Sequence, residues 1–213
     1  SEIYMNYSPK VNNIDIRKFF KIDKSYKNIV LVAMSSMDER VGDFYLGIRE
    51  SKEKQCYSKI FKNDFEWLEY LVNFTKNFSD TFFIIRPHPR DYPNSRNTKV
   101  ASSIEFFSQI KKKLPKNSRL DTPENNISVF DYVPHISVLL HSSSSLSYDL
   151  GLFGIPSLTY DKNLYRYEND LTFYPRKFTE YEKLFKEIIY KKKFSRKKII
   201  LNSFRWLCLQ LNY

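Results

Sequence analysis

Hydrophobic positions along this chain fall into short unbroken runs that alternate with striped stretches. Asn28–Met34, NIVLVAM, is continuous and β-branched, the mark of a strand buried on both faces. Thr81–Ile85, TFFII, and Ile136–Leu140 read the same way. Ile155–Tyr160 can form another strand, and Arg119–Leu120 begins a short one. Between the runs, Phe65, Leu68, Leu71, Val72 and Phe74 stripe a helix that Asn63 or Asp64 caps and that runs to Phe78. Ile104, Phe107, Ile110 and Leu114 stripe Ala101–Leu114. Leu146, Leu150 and Phe153 share one helical face, Gly154 supplies a left-handed stop, and Pro156 follows. Tyr181, Leu184, Phe185, Ile188 and Ile189 face inward from Glu180–Lys193. Ser195 caps a last helix with Ile199, Ile200, Phe204, Leu207 and Leu211 on its apolar side.

Strands alternating with helices predict an α/β fold, a Rossmann-like parallel sheet with helices on both faces. That domain spans residues 28–195, after a leading segment or linker at 1–27 and before a C-terminal helix at 196–213. Short helices are expected at Asp15–Phe20 and, capped by Ser128, at Val129–Val133. Val41–Tyr57 has no firm period, and the polar, aromatic Lys162–Lys177 is long enough for a flap.

The chain has 213 residues, room for one good core or two small lobes. It contains only 4 Gly, which excludes a Gly-rich phosphate loop. Its net charge of +11 favours anionic partners. Lys111–Lys113 reads as a solvated face, whereas Lys191–Lys193 and Arg196–Lys198 lie close enough together to touch a membrane surface. Cys56 and Cys208 are far apart without metal-ligand spacing, so a reduced, cytoplasmic protein is expected. His88, His135 and His141 form no zinc pattern, and no apolar stretch approaches the ~20 residues of a membrane span. No signal peptide and no nucleic-acid-binding motif is visible. The chain opens on Ser1 without an initiator Met, as a piece of something longer would.

Two stretches carry chemistry. Ser142–Ser145 is four hydroxyls at the mouth of the Leu146 helix, where side-chain caps, free N–H groups and the helix dipole suit a phosphate. The plainer alternative is an ordinary Ser cap with surplus polar loop. Arg86-Pro87-His88-Pro89-Arg90-Asp91 follows the Thr81–Ile85 strand. Two prolines hold His88 extended, and two arginines flank it with fixed charge. Such a group suits a leaving phosphate; a strand-end turn with a surface His is the alternative.

Together, RPHPRD and HSSSSLSYDLGLFGIPSLTYD resemble the donor-binding half of bacterial capsule polysaccharide glycosyltransferases. These are the Kdo-transferring capsule enzymes and, more distantly, the sialyl- and polysialyltransferases. The resemblance spans Ile29 to Asp161 and implies one lobe of a GT-B enzyme that binds a CMP-sugar. It implies that His88 and the pair Ser143 and Ser144 hold the nucleotide phosphate, and that Asp149, five before Gly154, holds the ribose. Those families more often have Glu at that place. Catalysis then rests on His88, with Arg86, Ser142, Ser143, Ser144, Ser145 and Asp149 in the nucleotide site; Glu124, off the end of the third strand, is a further candidate that could reach the base, an ordinary acidic loop residue being the alternative. Neither metal nor other cofactor is expected. A glycan acceptor would need a second, acceptor-binding lobe, missing here or separate. Glycerophosphotransferases of wall teichoic acid synthesis, with a CDP-linked donor, are similar enough to stand as an alternative. A basic module for nucleic acid or membrane, without catalysis, is another.

Other residues carry weaker expectations. Ser35, Ser36 and Asp38 follow the first strand and are candidate pocket residues. His141 is expected to be structural, Asp131 and His135 to lie on a helix surface, and Trp67 and Trp206 in the core. Tyr165, Arg166 and Tyr167 could meet a glycan.

Overall fold

The computed structural model describes residues 10–36, 45–46, 60–92, 101–142, 144–160 and 171–211. Its five strands are β1 (Asn28–Ala33), β2 (Thr81–Arg86), β3 (Ser118–Leu120), β4 (Val138–His141) and β5 (Ser157–Thr159). All pair in parallel, in the order β3-β2-β1-β4-β5. The unbroken apolar runs become strands because both sheet faces are covered. Val30, Val32 and Met34 enter one core, and Ile29, Leu31 and Ala33 enter the other.

The helices are α1 (Ile16–Phe19), α2 (Asp64–Phe74), α3 (Ala101–Lys113), α4 (Val129–Tyr132), α5 (Leu146–Gly151), α6 (Phe178–Ile189) and α7 (Arg196–Leu211). Side chains of α2, α3 and α6 fill the first core, and those of α1, α4 and α5 fill the second. The first core is aromatic. Trp67, Phe83, Tyr181 and Phe185 are fully buried, and Trp67 Nε1 donates to Tyr181 Oη at 3.1 Å. Each such side chain contributes about 2–3 kcal/mol by burial. Asn63 caps α2, its Oδ1 accepting from Phe65 and Glu66 N–H, which leaves Asp64 free of that task. One amide closes the turn before β2: Asn117 Nδ2 lies 2.9–3.1 Å from the carbonyls of Thr75, Phe78 and Thr81.

Several expectations change in detail. Residues 10–27 are packed onto the second core, to which α1 and its flanks give Ile16, Phe20 and Ile22. Asp131 is buried, not on a surface, because it accepts from the N–H groups of Asn12, Ile14 and Ser128 and so ties this segment to α4. Helix α6 stops at Ile189 rather than Lys193; the chain turns at Lys192 (φ 49°), and Lys193 folds back onto Glu187. Gly154 is the left-handed stop (φ 74°), but α5 ends at Gly151, so Phe153 lies in the turn and is 42% exposed. The latter part of the expected flap is docked: Phe173 bonds Ser157 and Thr159 alongside β5.

Helix α7 packs on α5 and runs antiparallel to it. Arg196 bonds the Phe153 carbonyl, Ile199 and Ser203 lie against Gly151, and Trp206 meets Tyr148. Gly151 is what permits this approach, since a Cβ there would sit 2.0 Å from Ser203 Oγ. The inward stripe is therefore Ile199–Ser203, and Phe204, expected inside, is 60% exposed.

Candidate functional site at the carboxyl edge of the sheet

A sheet ordered β3-β2-β1-β4-β5 reverses direction between β1 and β4. Ligands of open α/β sheets bind off the carboxyl ends at such a reversal. Arg86, Ala33 and His141 are in register across β2, β1 and β4. The HP loop and the serine loop thus leave the sheet at one level, with Met34–Ser36 between them, about 10 Å apart by strand spacing.

In the HP loop, His88 is extended (φ −67°, ψ 139°) and opens a 3-10 turn at Pro89–Asp91. Its Nδ1 accepts from Arg90 N–H at 3.3 Å. With Nδ1 accepting, a ring proton sits on Nε2. Arg86 does something else. Its guanidinium is buried, with Nη1 3.0 Å from Asp121 Oδ2, Nη2 2.8 Å from the Ile127 carbonyl, and the Tyr132 ring beneath. Tyr132 Oη donates to the same Asp121 oxygen at 2.6 Å. Burial pushes the Asp121 carboxyl up, against the opposing pull of Arg86. In this structure Arg86 ties β2 to β3 and α4 from inside.

Ser142 is likewise held inside the fold. It is fully buried; its Oγ donates to Asp64 Oδ2 at 2.9 Å and lies 2.6 Å from Ser35 Oγ. Asp64 also accepts from Ser35 N–H and Tyr160 Oη, both at 2.9 Å. One buried carboxylate thereby gathers the ends of β1, β4 and β5. The sequence signal for it was faint: an Asp at a helix mouth already capped by its neighbour Asn63.

His141 is fully buried and holds the serine loop from beneath. Its Nδ1 accepts from Ser144 N–H at 3.3 Å, and Nε2 donates to Thr172 Oγ1 at 3.2 Å. Desolvation pushes its pKa down to about 3, so it stays neutral. The structural role expected for it is the one observed.

At the α5 mouth the described N–H groups of Leu146, Ser147 and Tyr148 are engaged within the turn. Leu146 N–H donates to Ser144 Oγ, while Ser147 and Tyr148 N–H bond back to the carbonyls of Ser144 and Ser145. Ser145 is exposed and offers its hydroxyl. Asp149 is half-buried in the first turn, and desolvation pushes its carboxyl up. Glu124 is exposed on a 3-10 turn beyond β3, where Thr122 Oγ1 donates to it at 3.2 Å. Ser143, Asp38, Cys56, Tyr165, Arg166 and Tyr167 lie outside the described residues. Trp67 is core, whereas Trp206 is only half-buried. No described helix is long and apolar enough to cross a membrane.

Fold and register define a doubly wound, Rossmann-like α/β domain with two polar loops flanking its reversal point. No protein family profile matches the sequence, and no curated protein matches it. Among solved structures, the wall teichoic acid polymerase TagF is similar at 17% identity and a TM-score of 0.47. The match covers 86% of this chain and 40% of that one, so the chain spans less than half of that protein's length. A likeness that loose fixes neither activity nor ligand.

Proposed function

We propose that this chain is the donor-binding lobe of a GT-B glycosyltransferase of bacterial surface polysaccharide synthesis. The transferred group is an acidic sugar, such as Kdo or sialic acid, carried on CMP. The observation that carries this reading is the shared register of Arg86, Ala33 and His141, which sets the HP loop and the serine loop on either side of β1 at the sheet reversal. His88 donates from Nε2 to the phosphate as CMP leaves, where negative charge develops. Ser143, Ser144 and Ser145 hold the far side of that phosphate, Asp149 the ribose and Glu124 the base. The acceptor binds a second lobe outside this chain.

The test is a thermal-shift screen with CMP, CDP, UMP, UDP, GDP and AMP. A nucleotide at 100 times its dissociation constant adds about 2.7 kcal/mol of stability. CMP should stabilise most, and His88→Ala should lose most of that gain. CDP clearly ahead of CMP would favour transfer of a CDP-linked polyol phosphate. No shift with any nucleotide would sink the nucleotide site altogether.

A further inference from the structure

The C-terminal segment carries a pattern that a nucleotide site does not use. From Ile188 to Tyr213 the chain contains no acidic residue, while Lys191, Lys192, Lys193, Arg196, Lys197, Lys198 and Arg205 are all basic. Helix α7 turns Ile199 and Ser203 inward against Gly151 of α5. Its opposite face carries exposed apolar side chains: Leu201 is 46% exposed and Phe204 60%. Lys197, Leu201, Phe204 and Cys208 follow at i, i+4, i+7 and i+11, so they form one stripe, flanked by Lys198 and Arg205. Beside the first turn, a recess of about 220 Å³ brings together Lys193, Lys198, Ser195 and Thr172.

We infer that the outer face of α7 is a docking surface for an anionic lipid bilayer, on which the helix lies flat. The apolar stripe enters the boundary between headgroups and acyl chains, and the lysines meet the phosphates. Lys193 is paired with Glu187 of α6 at 3.0 Å, while Lys197 and Lys198 stand at the first turn of α7, and a basic border along an exposed apolar stripe is what an anionic lipid surface takes. The stripe lies on the side of α7 turned away from α5 and uses none of the residues of the nucleotide reading, so the two are tested apart.

The experiment is flotation of the full chain with phosphatidylcholine vesicles in which about one lipid in three is phosphatidylglycerol. Vesicles of phosphatidylcholine alone are the comparison. Retention on the anionic vesicles alone is expected. Leu201→Gln with Phe204→Gln should weaken it at least about ten-fold, since the stripe supplies the insertion. Lys197→Glu with Lys198→Glu should weaken it about as much, and Lys111→Glu with Lys112→Glu on α3 much less. Far-UV circular dichroism checks that each variant is folded. If the glutamine pair does not fold, Phe204→Ala takes its place. Three results would overturn the inference: no retention on anionic vesicles, equal loss from the α3 and α7 charge pairs, or an apolar pair that breaks a dimer while leaving flotation intact.

Discussion

Asp64 offers the sharpest test of how the carboxyl edge is held. Its carboxylate accepts from Ser35 N–H, Ser142 Oγ and Tyr160 Oη, each at 2.9 Å, with no exposed surface of its own. Asp64→Ala removes the acceptor shared by the buried hydroxyls of Ser142 and Tyr160 and the partly buried Ser35 N–H. Each lost bond costs about 1–3 kcal/mol, and relaxation of the hydroxyls trims the sum to about 3–5 kcal/mol. That is a large share of the 5–15 kcal/mol typical of a domain. Asp64→Asn is milder. Its remaining oxygen can face Ser35 and Ser142, while its amide donates to Tyr160, whose hydroxyl can accept instead. A loss of about 1–2 kcal/mol is expected there. In the Ala background, adding Tyr160→Phe removes a donor that has already lost its bond to Asp64, so the two losses should be less than additive. Urea unfolding followed by Trp67 fluorescence reads the effect, because that indole lies 5.0 Å from the Tyr160 ring. An alanine variant within about 1 kcal/mol of the parent would refute the reasoning, as would an asparagine variant equally damaged.

Three further outcomes follow from the packing. His141 has a folded pKa near 3 against about 6.5 unfolded, so the unfolded chain binds the extra proton between those values and stability falls as pH drops below 6.5. From pH 7.5 to 5 this group alone should remove about 2 kcal/mol, visible as the part of the pH slope that His141→Gln abolishes. Arg86→Met leaves the Asp121 carboxylate buried opposite an apolar chain and should cost about 3–5 kcal/mol in urea unfolding, most of it recovered by adding Asp121→Leu. Gly151→Ala drives a methyl into Ser203 and should lower stability by about 1–3 kcal/mol; Ser203→Gly in the same chain should restore much of that, and no rescue would place the damage elsewhere.

How much of this was legible in the residues depends on the reach of each signal. Strands buried on both faces show as unbroken apolar runs, so β1, β2 and β4 and their parallel pairing could be read directly. Gly154 and the Asn63 cap are local and were legible too. Polar partners brought together by topology were not. Arg86 meets Asp121 35 positions on, and Asp64 meets Ser142 and Tyr160 78 and 96 positions on. A local reading of RPHPRD or SSSS sees such side chains as available, when the fold has already engaged them. Helix α7 shows a different limit. It is apolar on more than one side, and only the close approach at Gly151, a residue of another helix, selects the stripe that turns inward.

The outer strands decide what this sheet cannot become. β3 and β5 are three residues each, with Arg119 at the middle of one and Phe173 hydrogen-bonded along the other. Little backbone ladder is left for a stray chain to extend, so growth into fibrils by strand addition has poor footing at either rim.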